Sequence, residues 1–541
     1  MNKEALYLFL GVMPAICSWI ISTQKYPMKF WSIANDSAIM ALSHAMNLDD
    51  WLEGKHARKI ETPQIYHPGV YYQFFSWMTY RLSSMQKNAD PSRLAEDTMR
   101  DPEPFWNLLQ LVPLALTLIT ALFLWGLLQK NEKIYFPPIF LSFFVVSIAY
   151  RHGTWDLFNE SFAFPLAAAF FSINIYFFRF WRVPGPARYW ACAVAGIATG
   201  LIYLNKANLV LWGVALVPIM VLQDRYYKFA INQTLGWLSL YVTAAGITIV
   251  GVACLFFGIK GLEKMAIANW ELVQSSGTYG SGPKTFINLP TFLKAATTLL
   301  CSEKYLWLIY VLICGFLIVE YLIKRIKTGQ LSEDVFAAMF AMVAPALMFI
   351  GICKHYISYY IVAIVAVYPI LLYLLAKNGK KWQIWIISFC VAFGTWDAFK
   401  INLDARKKDF YNQHNIEKDW ASIMGKYPLK AGEVRLWMYR TTVPEFQRSF
   451  LAEFSGMPEL QRIIQKIQPG EFHFSPWHDM VLIDGKWEHM SNVKWNYLVY
   501  DLDGESYITN KYHPWHIDNM TLKANKNKLV LIQRSSSKVI R

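Results

Sequence analysis

The chain has 541 residues, of which 55% are hydrophobic, 16% aromatic and only 17% charged. Apolar runs of about 16–24 residues recur between short basic linkers, and this pattern indicates a polytopic α-helical membrane protein. The formal net charge of +14 could suggest a nucleic-acid partner. Much of the basic excess, however, lies in the short loops between apolar runs, and the sequence carries no nucleic-acid-binding motif. We therefore expect a lipid bilayer, and no nucleic acid, among the partners.

Cysteine usage excludes two further classes. Most of the seven cysteines lie within apolar runs, and none follows Cys390. The sequence has no CxxC motif and no Cys/His spacing suited to zinc. We expect neither a disulfide framework in the C-terminal part nor a bound cofactor, and no residue is predicted to bind a metal.

About eleven apolar runs are predicted to cross the membrane. Each is expected to be an α-helix, because a lipid-exposed backbone must satisfy its own hydrogen bonds. The first run, Ala5–Ser22, lacks a small-residue cleavage site and is interpreted as a retained span. The stretch 189–222 could be one long helix, but Arg188 and Arg225 at its ends both look cytoplasmic, which requires two passes. The predicted spans are 5–22, 107–128, 134–150, 161–178, 189–204, 207–222, 234–258, 305–323, 335–352, 357–376 and 382–398.

Basic residues recur at every second loop, which predicts the orientation. With Lys3 at a cytoplasmic N-terminus, the alternate loops carry lysine and arginine clusters such as Lys324, Arg325 and Lys327, the positive-inside pattern. The opposite, extracytoplasmic face then receives the loop 23–106 and the whole C-terminal tail. The lack of an endoplasmic-reticulum retrieval signal favours a bacterial inner membrane.

The long loop 23–106 is predicted to contain two helices. Apolar residues after Asp36 share one helical face, and those after Gly69 do likewise. We expect the second helix to lie along the membrane surface. The loop is assigned to a membrane domain spanning 1–398.

From about Phe399 the composition changes, and the chain is predicted to form an extracytoplasmic α/β domain over 399–541. Strand-like alternation occurs at 433–440, 480–483, 497–501 and 528–532, and helical patterns at 444–453 and 458–467. About 140 residues are enough for a domain with its own core.

Ionisable residues converge on the extracytoplasmic ends of the predicted spans, where they are costly and therefore candidates for function. Each also has a structural explanation. Asp36 could cap the following helix, His67 could be an ordinary loop histidine, and Asp156 and Glu160 could favour a helix N-terminus. Lys206 could extend along the bilayer to reach water, although a lysine within a hairpin of two apolar segments more readily faces a polar cavity. The full candidate set is Asp36, His67, Arg151, His152, Asp156, Glu160, Lys206, Lys354 and His355.

The order of these residues resembles the GT-C glycosyltransferases, and most nearly the protein O-mannosyltransferases and the lipid A aminoarabinose transferases. Members carry an acidic residue after the first span, then His-Pro-Pro or Lys-Pro-Pro, matched here by Asp36 and by Tyr66-His67-Pro68-Gly69. Members also carry an Asp in a second outer loop, matched here by Asp156. A Lys at the end of a mid-chain span is matched by Lys206, and a late Arg-Tyr motif is matched by Lys354-His355. The sequence departs from the pattern in its lone Asp36, in Gly69 for the second proline, and in Lys354-His355 for the arginine.

The resemblance implies a sugar donor linked to a polyprenyl phosphate. Phosphate is a good leaving group, so a glycosidase-type pair of carboxylates is unnecessary. Asp36 would be the catalytic base, with Asp156 as the second catalytic candidate. The basic residues, chiefly Lys206, would stabilise the departing phosphate, and His67, Arg151, His152, Glu160, Lys354 and His355 are assigned to substrate binding.

A transporter or flippase of envelope precursors is the main alternative, because about eleven spans with buried charges would also serve one. The long outer loop, the outer domain and the lack of a repeated half favour the enzyme. We thus expect a GT-C-like membrane body that transfers a sugar to a glycan, lipid or protein acceptor on the extracytoplasmic face.

Overall fold

The structure of the chain is a computed structural model. The described residues are 16–17, 20, 25–26, 29–32, 36–54, 69–87, 93–124, 159–178, 185–205, 210–275, 284–285, 288–302, 304–332, 334–350, 357–438, 443–455, 458–475, 480–483, 486–501, 520–526 and 529–534.

Fifteen α-helices, numbered α1 to α15 here, are found among these residues. Phe30–Ser32 adds a 3-10 turn before the first of them. The helices are α1 Asp36–Leu52, α2 Val70–Lys87, α3 Leu94–Arg100, α4 Glu103–Leu124, α5 Asn159–Phe178, α6 Pro186–Asn205, α7 Val210–Tyr226, α8 Ile231–Gln274, α9 Leu289–Ser302, α10 Lys304–Thr328, α11 Val335–Ile350, α12 Ile357–Asn378, α13 Lys381–Lys426, α14 Pro444–Ser455 and α15 Pro458–Ile467.

Apolar helices long enough to cross a bilayer are present. Among the described residues, 4 helices qualify by length and composition, and shorter apolar helices cover Pro165–Asn174 and Val335–Phe349. The 4 are Pro186–Leu204, Ile231–Glu271, Tyr305–Thr328 and Lys381–Lys426. The chain is therefore a membrane protein, while the total of about eleven spans stays a prediction. The predicted span 134–150 lies outside the described residues, as does nearly all of 5–22.

The stretch 189–222, which is predicted to make two passes, contains two separate helices, α6 and α7. Arg188 near the start of α6 forms a buried ion pair with Asp224 near the end of α7. The Arg188 guanidinium also lies 3.3 Å from the centroid of the Trp237 ring. Since a buried charge is costly unless it is paired, this cluster joins the two helix ends that the sequence assigned to one side.

Two helices run further than the sequence suggested. The predicted span 234–258 continues as α8 through a kink at Gly258, which has a φ of 70°. The predicted span 382–398 continues as α13 to Lys426. The composition change at Phe399 is thus not the end of a helix.

The chain divides into two compact units, each made of separate stretches. The first contains Tyr66–Tyr72 and Gln110–Leu403, and the second contains Ser22–Ile65, Gln73–Leu109 and Asp404–Arg541. In the first unit α6 packs closely against α8. Gly200 permits this approach, because a Cβ at that position would lie only 2.8 Å from the carbonyl oxygen of Ala245. Its buried core includes Phe171, Trp212 and Tyr368.

The second unit contains a seven-stranded sheet. Its strands are β1 Arg435–Met438, β2 Glu471–Ser475, β3 Met480–Ile483, β4 Lys486–His489, β5 Tyr497–Asp501, β6 Met520–Lys526 and β7 Leu529–Arg534. The strand order is β4-β3-β2-β1-β5-β7-β6. Strand β1 pairs in parallel with β2 and β5, and the other pairs are antiparallel.

Alternating residues of the strands bury both faces of this sheet. Trp437 and Val499 pack on one face with Trp420 of α13. Leu436 and Leu498 pack on the other face. The α/β character predicted for the tail is therefore confirmed, and α13 supplies part of its core.

Candidate functional site

The described end of the Tyr66-His67-Pro68-Gly69 motif is held against helix α6. Gly69 is buried, and its backbone N–H donates a hydrogen bond to the carbonyl oxygen of Leu204 at 2.9 Å. Leu204 is the second-last residue of α6 and is followed directly by Asn205 and Lys206. Two motifs that are separated by more than a hundred residues of chain therefore meet at this hydrogen bond.

The backbone of Gly69 explains why glycine stands at this position. Its φ is 139°, in the region that residues with a Cβ rarely adopt. Proline fixes φ near −65° and has no N–H, so it could neither adopt this conformation nor donate to Leu204. The conformation and the hydrogen bond at position 69 thus require glycine, where the family pattern has the second proline.

The residues after Gly69 contact a second helix of the same unit. Val70 is buried, and the Tyr71 ring lies 6.1 Å from the Phe170 ring of α5, centroid to centroid. The hydroxyl of Tyr71 is buried and has no hydrogen-bond partner among the residues that the structure describes. Since buried polar atoms are nearly always hydrogen-bonded, this hydroxyl is a candidate ligand contact that the sequence alone did not indicate.

Asp36 is the first residue of helix α1. A carboxylate is electrostatically favourable in the first turn of a helix, where unpaired backbone N–H groups carry partial positive charge. The predicted helix cap concerns the side chain of Asp36, which lies outside the described residues.

The C-terminal end of α1 is fixed by a polar cluster. Asp49 accepts a hydrogen bond from Trp77 Nε1 at 2.8 Å, and it also pairs with Arg81. Arg81 pairs in addition with Glu53. Burial raises the pKa of Asp49, while the hydrogen bonds from Trp77 and Arg81 act to lower it. All three charged side chains are paired, so the cluster is explained as an anchor between α1 and α2.

The other sequence-predicted residues are placed only in part. Glu160 is the second residue of α5, but its side chain is not described. Helix α12, which begins two residues after His355, packs against α5. His67, Arg151, His152, Asp156, Lys206, Lys354 and His355 lie outside the described residues.

A metal site is not found in the described part of the chain. No group of three or more His, Cys, Asp or Glu residues there could hold a metal ion.

No family model matches the sequence, and no curated protein does. Solved structures of similar fold include the archaeal oligosaccharyltransferase AglB from Archaeoglobus fulgidus, in complex with an inhibitory peptide and a dolichol-phosphate. This structure has 11% sequence identity and a TM-score of 0.45, over 93% of this chain and 70% of that chain. ArnT from Cupriavidus metallidurans, bound to undecaprenyl phosphate, has 12% identity and a TM-score of 0.45, over 99% of both chains.

Proposed function

We propose that the protein is an integral-membrane glycosyltransferase that moves a sugar from a polyprenyl-phosphate donor to an acceptor. The proposed acceptor is a glycan, lipid or protein on the extracytoplasmic face of a bacterial inner membrane. The observation that carries the proposal is the hydrogen bond from Gly69 to Leu204 at 2.9 Å. His67 and Lys206 each lie two residues along the chain from it, so two candidate cationic residues are tethered to one point.

Cations at this point suit a phosphate leaving group. Negative charge develops on the departing polyprenyl phosphate, and Lys206 and His67 would stabilise it through charge-assisted hydrogen bonds. Arg151, His152, Lys354 and His355, which also belong to the predicted extracytoplasmic face, would add to the positive potential. Glu160 at the start of α5 would bind an uncharged part of the substrate, because its carboxylate repels phosphate.

Asp36 is proposed as the general base. It would take the proton of the acceptor hydroxyl as the oxygen attacks the anomeric carbon, while the bond from that carbon to the phosphate oxygen breaks. The electron pair of that bond leaves with the polyprenyl phosphate. One carboxylate suffices because the leaving group needs no protonation, and Asp156 is the alternative base.

The test replaces the carboxylate by an amide. Asp36→Asn keeps the shape and caps a helix about as well as Asp, but it removes the charge and the basicity. We expect a folded protein with transfer reduced by roughly 10²-fold or more. Asp404→Asn, at an exposed position of α13, is the matched control. Release of undecaprenyl phosphate from a radiolabelled undecaprenyl-phosphate sugar, in membranes that contain the acceptor, is the measurement.

The outcomes separate the competing roles. Full activity in Asp36→Asn, with loss only in Asp36→Ala alongside lower stability, would show that Asp36 merely caps α1. Asp156 would then become the candidate base. If the wild-type protein moved intact donor across the membrane of sealed vesicles without cleaving it, the protein would be a transporter and the proposed enzymatic function would be wrong.

A further inference from the structure

The chain that leads into helix α1 is held by side chains from distant parts of the second unit. We call Tyr26 together with residues 29–32 the lead-in segment. Arg406 Nε donates a hydrogen bond to the carbonyl oxygen of Tyr26 at 3.1 Å, and the Tyr26 ring lies 5.8 Å from the Phe410 ring. Both partners belong to the C-terminal part of α13. Arg406 is buried, so its contact is protected from water.

Phe30 fixes the middle of the lead-in segment. Its backbone N–H donates to Glu103 Oε1 at 2.9 Å. Its ring packs against Phe105 and Trp106, with centroid distances of 6.1 and 5.6 Å. Burial raises the pKa of Glu103, and the hydrogen bond from Phe30 acts in the opposite direction. The N–H of Phe30 thus has a defined partner inside an aromatic cluster.

Arg448 of helix α14 connects the lead-in segment with the tail. Its guanidinium lies 5.2 Å from the centroid of the Trp31 ring, and its Nε donates to the carbonyl oxygen of Met99 at 3.3 Å. Its Nη1 lies 3.4 Å from Gln468 Oε1. A planar guanidinium can stack on an aromatic ring and donate several hydrogen bonds at once, which lysine cannot do.

Helix α14 also packs directly against α1 and against the turn Phe30–Ser32. From Ala41 to Asp49 every residue of α1 is buried. A helix that is buried on all sides cannot shift without moving its neighbours, because protein interiors are close-packed. The tail therefore fixes both the body of α1 and the segment that precedes it.

We infer that the C-terminal part of the chain, from Asp404 to Arg541, positions the catalytic carboxylate of Asp36, and that Arg448 is the positioning residue. The inference rests on the proposed function of Asp36. A base must lie within hydrogen-bond reach of the proton that it removes. A displacement of about 1 Å, even one caused far from the chemistry, can cost on the order of 10²-fold in rate. The tail is thus a functional part of the enzyme rather than an appended module.

The experiment combines substitutions at positions 448 and 36. Arg448→Met keeps an unbranched stem against Trp31 but removes the fork of donors. We expect kcat to fall by about ten- to a hundredfold while KM for the undecaprenyl-phosphate sugar is unchanged, since the donor is bound by other residues. In an Asp36→Asn background the same substitution should cause no further loss. Arg462→Met, at an exposed position of the neighbouring helix α15, is the control and should retain kcat.

The double-mutant comparison distinguishes the possible failures. An equal loss from Arg448→Met in both backgrounds, or no loss in either, would overturn the positioning role. Full activity of Asp36→Asn alone would instead refute the proposed base. If Arg448→Met does not fold, Arg406→Met replaces it, with Arg406→Lys as the rescue because lysine can still donate to the carbonyl oxygen of Tyr26. A loss of kcat in Arg406→Met that Arg406→Lys restores supports the inference, and unchanged kcat in both overturns it.

Discussion

Replacing Gly69 tests the hydrogen bond on which the proposed function depends. Gly69→Pro removes the N–H that Leu204 accepts and cannot adopt a φ of 139°. Loss of a hydrogen bond costs about 0.5–1.5 kcal/mol, and an unfavourable backbone conformation adds about 1–3 kcal/mol. If this free energy is lost because the two motifs are displaced from each other, it reduces the stabilisation of the transition state. Transfer should then decrease by about ten- to a thousandfold, at 1.4 kcal/mol per tenfold.

Gly69→Ala separates the two contributions. Alanine keeps the N–H and bears only the backbone strain, so its loss should be smaller than that of proline. Gly329→Ala provides the control, because Gly329 also has a positive φ, of 69°, and no atom within 4 Å of an added Cβ. We expect that control to lose some stability but to retain transfer.

The assay is donor cleavage in membranes, with the thermal unfolding of each purified variant measured in parallel. Activity loss in Gly69→Pro at a temperature where the variant remains folded would support the role of the hydrogen bond. Full transfer in a folded Gly69→Pro would refute the reasoning, since the contact with Leu204 would then be dispensable.

Three further predictions concern the donor and the sheet. Lys206→Ala should weaken the binding of undecaprenyl phosphate by about 1.5–3 kcal/mol. Lys327→Ala, at an exposed position, should leave this affinity unchanged, and native mass spectrometry measures the affinity of both variants. Tyr71→Phe removes a hydroxyl without a partner among the described residues. This variant should weaken donor binding by about 0.5–1.5 kcal/mol without lowering the melting temperature of the free protein. Unchanged affinity would argue against a ligand contact. Burial raises the pKa of Glu471 from 4.5 to about 7, although Arg435 and Trp437 oppose the rise. The stability that this group contributes is therefore present below its unfolded pKa and is lost as pH rises through about 7. This loss, up to about 3 kcal/mol, should disappear in Glu471→Gln when thermal unfolding is compared at about pH 5 and pH 8.

Nine of the predicted spans correspond to described helices, α4 to α8 and α10 to α13, because each is a long apolar run, whereas α9 lies in a stretch predicted as a loop. In the tail, Pro458–Ile467, Met480–Ile483 and Tyr497–Asp501 coincide with α15, β3 and β5. Their apolar residues recur at the helical or strand period, so the pattern alone is sufficient.

Two of the three strands that the sequence missed, β2 and β4, have a physical explanation. Strand β2 carries Glu471 and His473, both buried, and Glu471 is accommodated because Arg435 and Trp437 of β1 donate hydrogen bonds to it. A buried polar residue is indistinguishable in sequence from an exposed one, since its partner lies elsewhere in the chain. Strand β4 is exposed along its length and has no apolar face to reveal it.

The candidate site was predictable in part. The resemblance indicated which residues to consider, and Asp36 at the start of α1 agrees with the expected helix. The role of Gly69 was not predictable, because a glycine after proline suggests only a turn. Its hydrogen-bond partner, Leu204, is distant in sequence.

The composition change at Phe399 suggested a boundary, but the chain crosses it within one helix. Ile416, Trp420 and Ile423 follow each other at helical spacing and are buried in the core of the sheet. The same part of α13 supplies Arg406, which binds the carbonyl oxygen of Tyr26. One helix thus carries a core face for the tail and a contact to the chain before α1.

Truncation of the tail and single substitutions within it would affect helix α1 differently. Helix α1 is synthesised early but packs against α14, which lies about four hundred residues further along the chain. Such non-local contacts form only after the intervening chain is in place. Removing the tail would therefore expose the buried surface of α1, and the loss of activity would be indistinguishable from misfolding. Single substitutions such as Arg448→Met leave the buried surface of α1 covered. They can therefore separate the positioning of Asp36 from the stability of the fold.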